Sequence, residues 1–120
     1  MKYLLITVLS YLLIVPALWA DDGWHSPHGA RHLVGERATI CGVVGSTRYA
    51  ESTRGSPTYI NLGPAYPDQV FTVVIWGSDR NKFNYAPERL QGGVCVRGKV
   101  EMFRDVPQII VTSPYQIIRE

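Results

Sequence analysis

The chain has little lysine, little cysteine and almost no surplus of either charge. Twelve Lys and Arg face ten Asp and Glu over 120 residues, a formal charge of +2. That excludes the strongly basic kind of polyanion binder, which relies on many phosphate contacts. The only lysines are Lys2, Lys82 and Lys99, so the basic side chains are nearly all arginine, which favours planar, bidentate or stacked contacts. The two cysteines, Cys41 and Cys95, have no second Cys or His at ligand spacing, which argues against a metal or redox role. The acids Glu51, Asp68, Asp79, Glu88, Glu101 and Asp105 are scattered over different elements, and no serine or thiol has a recognisable base beside it. Neither paired-carboxylate nor nucleophilic catalysis is therefore expected, and no cofactor or metal is implied. Repeats and low-complexity tracts are missing, and after residue 20 no stretch is apolar enough to span a bilayer.

What is present begins with a charged start, Lys2, followed by an apolar run from Tyr3 to Val15 and a helix breaker at Pro16. The run is shorter than the roughly 20 residues a membrane span needs, and the pattern is that of a secretory signal. Cleavage is expected after Ala20, with Ala17 also acceptable. The cut removes Lys2 and no acid, leaving 11 basic against 10 acidic residues, or +1. A periplasmic or secreted location follows, with no stable membrane insertion of the mature chain. In an oxidising compartment an even pair of cysteines is expected to form a disulfide. With 46% hydrophobic residues there is material for one core and one domain. The expected division is a signal at 1–20, a leader with a short helix at 21–34, and a folded domain at 35–120.

Within that domain the pattern is of short strands and turns. Ser26 followed by Pro27 is an N-cap and first-turn signature, so a short helix is expected to about Leu33, ended by Gly35. Residues 38–46 alternate and contain Gly42 and Gly45, which predicts a long strand bent by bulges. A polar loop is expected at 47–56, a second strand at 58–62 and a third at 70–76. Ser78-Asp79 and Ala86-Pro87 open short helical pieces that carry Phe83 and Leu90 inward. A fourth strand is expected at 94–103, a tight turn at 104–107, a fifth strand at 108–112 and an apolar tail at 114–118. Three strands, a helical connection and two more strands predict an all-β fold: a five-stranded OB-fold Greek-key barrel with a short helix between strands three and four and a short N-terminal helix.

Three stretches carry a family resemblance: 35–44 (GERATICGVV), 59–62 (YINL) and 92–100 (GGVCVRGKV). In this order the chain, from Gly35 to about Ile118, resembles the OB-fold domain of anticodon-binding and related nucleic-acid-binding proteins. Within that family it is most similar to small exported bacterial OB-fold proteins. The resemblance implies ligand binding on the outer face of strands two and three, between the loops after strands one and four. One departure is clear: Asn61 stands where many anticodon-binding members have an acid followed by Leu-Arg, and Gly63 replaces that Arg, which argues against anticodon recognition.

Strand parity sorts the candidate residues independently. Ile60 and Leu62 fall on the core side of strand two, and Tyr59 and Asn61 on the other. Trp76 shares the outer parity of strand three with Thr72 and Val74, so it can join Tyr59 in a stacking platform. Arg48 and Arg54 after strand one and Arg104 after strand four can track a phosphate backbone, with Arg97 and Lys99 outward on strand four. Tyr49 and Phe103 sit at the edges of the same loops, free to stack or to plug a barrel end. Cys41 and Cys95 both point outward from neighbouring strands, which permits a cross-strand disulfide. His25, His28 and His32 with Asp21 and Asp22 lie in a leader that nothing fixes, so no metal site is assigned. The expected partner is single-stranded DNA or RNA, bound without sequence preference. The alternative is a periplasmic protein, peptide or oligosaccharide, a use the fold equally supports.

Overall fold

Residues that alternate between branched apolar and polar side chains have one conformation that serves both faces, the extended strand. In Gly93–Phe103, Val94, Val96 and Val100 are fully buried while Arg97, Lys99 and Glu101 are exposed. The computed structural model describes residues 23–120; the expected signal at 1–20, and Asp21 and Asp22 beyond it, lie outside the described residues.

Seven strands follow in chain order: β1 (Trp24–His25), β2 (Arg37–Tyr49), β3 (Thr58–Leu62), β4 (Phe71–Ile75), β5 (Gly93–Phe103), β6 (Val106–Ile110) and β7 (Ile117–Arg119). Ser26 caps a 3-10 helix over Pro27–Leu33, its hydroxyl accepting from the Gly29 amide at 3.3 Å. Between β4 and β5 lie α1 (Gly77–Arg80) and a 3-10 turn (Pro87–Arg89). Five strands close a ring in the order β2-β3-β4-β6-β5 and back to β2. All neighbours are antiparallel except β4 and β6, which are parallel. This is the Greek-key order of an OB-like barrel, and the ring strands are the five expected from the alternation.

The barrel encloses Ile40, Ile60, Leu62, Phe71, Val73, Ile75, Val94, Val96, Val100, Ile109 and Val111. Phe83 and Leu90 from the β4–β5 connection and Ala30 from the N-terminal 3-10 helix pack on the same core. Each fully buried side chain of this size contributes about 1.5–3 kcal/mol relative to exposure.

β2 serves both halves of the barrel. Residues from Arg37 to Val43 pair with β5, and those from Val44 to Tyr49 pair with β3. The register slips at Gly45, between the pairs Val44–Leu62 and Ser46–Asn61. A side chain there would collide with the Gly63 carbonyl and Pro64, so the corner needs glycine. Cys41 stands directly opposite Cys95 on the β2–β5 ladder, and the two form a disulfide.

Three details differ from expectation. β2 runs on to Tyr49, where a loop was expected from Thr47. β6 begins at Val106, so Pro107 lies in a strand; the first β4 partner is Gln108, so on that side no ladder bond is asked of the missing Pro107 N–H. The leader and tail also each supply a short flanking strand, β1 beside β2 and β7 beside β5.

The disulfide spans 54 residues, so its removal is expected to lower stability by about 4 kcal/mol. Urea unfolding of the oxidised chain against a Cys41→Ala/Cys95→Ala double variant measures the loss; equal stabilities would refute the structural role.

Candidate functional site

The ladder registers set two rows of outward residues across the face of β2, β3, β4 and β6. One row runs Ser46, Asn61, Thr72, Gln108 and the other Arg48, Tyr59, Val74, Ile110. Above them lies a groove of about 620 Å³. The β3–β4 loop forms one wall with Tyr66, Pro67 and Gln69, and the end of β5 and its hairpin form the other with Phe103 and Arg104. Among the described residues, Arg48 and Arg104 are its only charged lining residues, and no carboxylate lines it. Tyr66 is 71% exposed and Phe103 54%, while Tyr59 is half-buried in the floor.

Asn61 is the unexpected member. On the outer side of β3 by parity, it is only 3% exposed. Its amide nitrogen donates to Ser46 Oγ at 3.1 Å, and its carbonyl oxygen accepts from Thr72 Oγ1 at 3.0 Å. Ser46 Oγ also accepts from the Tyr66 amide at 2.9 Å, which fastens the β3–β4 loop over the floor. The side chain therefore joins β2, β3 and β4 and holds a groove wall in place, with its hydrogen-bonding capacity directed inward.

Arg104 and Asp105 form the two-residue β5–β6 turn with φ of 49° and 66°. Two left-handed residues match the twist of an antiparallel pair, yet for a long side chain such as arginine that conformation costs about 1–2 kcal/mol. Arg31 Nη2 supports the turn by donating to the Asp105 carbonyl at 3.3 Å. The turn sets the Arg104 guanidinium at the groove's rim, 5.1 Å from the Phe103 ring centroid.

The groove thus collects Arg48, Tyr59, Asn61 and Arg104 from the expected set, and leaves out Trp76 and Arg54. β4 ends at Ile75 and the chain turns into α1, so the Trp76 indole falls over Gly55 and is 39% exposed. It lines a separate shallow depression with Tyr49, Ser56, Gly77 and Ser78. Arg54 is exposed in the β2–β3 loop. Arg97 and Lys99 lie on the β2–β5 part of the barrel, opposite Thr39 and Arg37. Tyr66, Gln69 and Gln108 were not anticipated. Only Gln108 carries a sequence signal, its parity opposite buried Ile109.

Tyr49 and Thr47 face the other way, toward the β4–β5 connection. Arg80 lies over the Tyr49 ring at 3.6 Å, contacts both Glu88 carboxylate oxygens at 2.8 and 2.9 Å, and donates to Thr58 Oγ1 at 2.9 Å. Thr47 Oγ1 donates to the Glu88 carbonyl at 2.6 Å. The hydrogen bond from Arg80 holds the Glu88 carboxyl below the usual carboxylate range, and the same bond holds the Arg80 guanidinium above its ordinary value.

The fold is similar to three solved structures. One is a chain assigned as an aspartyl-tRNA synthetase from Leishmania major Friedlin, with TM-score 0.54, 13% identity, and 79% of this chain against 20% of that one. The present chain therefore spans about one fifth of the synthetase. The others are OBody AM1L10 (TM-score 0.54, 17% identity, 78% of this chain and 88% of that one) and OBody AM2EP06 (0.52, 16%, 78% and 88%), each bound to hen egg-white lysozyme. At these identities the likeness speaks for the OB-like fold alone. No protein-family profile matches the chain, and no curated protein does.

Two outcomes test this account. Asn61→Ala leaves Ser46 and Thr72 without their buried partner and is expected to cost about 1–3 kcal/mol by thermal or urea unfolding; a neutral result would mean that the network does not carry the floor. Because its folded pKa is depressed, Glu88 stabilises above its unfolded value and loses that contribution as pH falls through the lower folded value. The deficit of Glu88→Gln, about 1–2 kcal/mol at neutral pH, is expected to stay level above about pH 5 and to shrink below about pH 4. A deficit that does not change with acidification would exclude the ion pair as its source.

Proposed function

We propose that the chain is an exported OB-fold binding module whose groove takes single-stranded DNA or RNA without sequence preference, cofactor or catalysis. The observation that carries this reading is the groove's lining: among the described residues, three aromatic side chains and two arginines converge with no carboxylate. Tyr59, Tyr66 and Phe103 offer rings on which any base can stack. Arg48 and Arg104 reach phosphates from opposite ends of the floor, and the backbone conformation accepted at Arg104 suits a position kept for function. The apolar N-terminal run and the Cys41–Cys95 crosslink fit an oxidising compartment, periplasmic or extracellular.

The near-neutral charge supports a second reading, a groove for a peptide, protein or oligosaccharide partner. Salt separates the two. Two phosphate contacts on a single strand predict a slope of log K against log salt of about −1.4, reduced by about 0.7 in Arg48→Gln or Arg104→Gln. Fluorescence anisotropy of labelled mixed-sequence DNA and RNA oligomers with the mature oxidised protein measures it. Tyr59→Ala is expected to weaken binding by about 1–3 kcal/mol. Absence of binding at low salt, or binding that these three variants leave unchanged, would sink the nucleic-acid reading and turn attention to peptide and glycan partners.

A further inference from the structure

The β4–β5 connection and β7 meet over Tyr85, away from the groove, and enclose a pocket of about 390 Å³ lined by Tyr85, Ala86, Arg89, Leu90, Gln91 and Arg119. Among the described residues, its two charged lining residues are both arginines, and no carboxylate lines it. Neither acid next to them in sequence lines the pocket. Glu88 is held by both nitrogens of Arg80, and a Glu120 carboxylate oxygen lies 3.8 Å from Cys95 Sγ, with the side chain against Gly93. Among the described residues, ion pairs join Arg80 to Glu88 and Lys82 to Asp79, and none involves Arg89 or Arg119.

Both arginines rise from fixed backbone. Arg119 belongs to β7, opposite Val94, and its guanidinium rests 4.4 Å from the Tyr85 ring centroid. That ring is packed edge-on against the buried Phe83 ring at 5.6 Å. Arg89 closes the 3-10 turn that Glu88 fastens to β2, its amide donating to the Ala86 carbonyl at 2.9 Å. Burial pushes the Tyr85 hydroxyl up, so it stays protonated and able to donate at neutral pH. Gln91 adds an amide group. Two permanent cations with further donors, and no carboxylate among the described lining residues, make a site for an oxyanion. A single carboxylate can face only one guanidinium fork squarely, whereas a phosphate presents enough oxygens for both forks and the phenol.

We propose that this pocket is a phosphate-binding site, in which Arg89 and Arg119 hold a phosphate group between them and the Tyr85 hydroxyl donates a further hydrogen bond. The site is built from elements that do not line the groove, so it stands or falls independently of the nucleic-acid reading. The phosphate is either free or the terminal group of a phosphorylated molecule, and the shared chemistry is the anion itself.

Titration of the mature oxidised protein with inorganic phosphate at low ionic strength, followed by backbone amide chemical shifts, tests it. Saturable shifts confined to residues around Tyr85, Arg89 and Arg119 are expected. Arg89→Gln and Arg119→Gln should each weaken binding about tenfold or more; both side chains are exposed, so the fold tolerates them. Tyr85→Phe keeps the ring under Arg119 and should lose a few-fold. Arg37→Gln, which removes the same charge at a distant exposed position on β2, should bind as the native chain does. Comparing inorganic phosphate with a 5′-phosphorylated dinucleotide and its unphosphorylated counterpart distinguishes the sources: equal affinity of the first two points to free phosphate, and preference for the second to a phosphorylated terminus. No saturable binding, or binding that Arg37→Gln weakens as much as Arg119→Gln does, would overturn the proposal.

Discussion

A ring of five strands closes only if one strand turns a corner, and here the corner is the one-residue slip of β2 at Gly45. Before it, β2 belongs to β5 and carries Cys41; after it, β2 belongs to β3 and carries Ser46 and Arg48. Because the slip advances the strand by one residue, it also resets which side chains face out. Ser46 and Arg48 reach the groove, and Thr47 and Tyr49 turn to the β4–β5 connection, where Glu88 and Arg80 meet them. The crosslink, the groove floor and the anchoring of that connection all depend on this corner.

Arginine serves three different purposes in the molecule. Arg80 is fully engaged, with a ring beneath it and both oxygens of one carboxylate in front of it, and acts as a fastener. Arg48 and Arg104 extend into the groove without an ion pair among the described residues. Arg89 and Arg119 share a pocket whose described lining residues include no acid. A formal charge near zero thus hides an uneven distribution, in which carboxylates neutralise the structural arginine and leave two pairs exposed.

Much of this was legible in the sequence because alternation and parity are local properties. The five ring strands, the capped N-terminal turn, the inward placing of Phe83 and Leu90 and the pairing of Cys41 with Cys95 all follow from which side a residue occupies. What stayed hidden depends on contacts between distant segments. Thr47 to Tyr49 looks like a polar loop until the Glu88 carbonyl and Arg80 supply partners. Asn61 does face outward, as parity requires, but the β3–β4 loop tied to Ser46 covers it. Trp76 has the right parity for the platform, yet parity cannot reveal that the strand stops one residue earlier and the indole settles on Gly55. Tyr66 gives no signal at all, since a loop residue has no face until the loop is placed.

The crosslink sits at only one of the five seams of the ring, between β2 and β5. The other four are held by hydrogen bonds, and the parallel seam of β4 with β6 is the shortest, joining only Thr72–Gln108, Val73–Ile109 and Val74–Ile110. Parallel ladders are also slightly weaker per residue. The protein is therefore covalently clamped on one flank and loosest along the line that runs beneath the groove. Opening along that seam would leave the clamped flank holding the chain in register, so the width of the groove is the dimension that this pattern of pairing leaves freest to change.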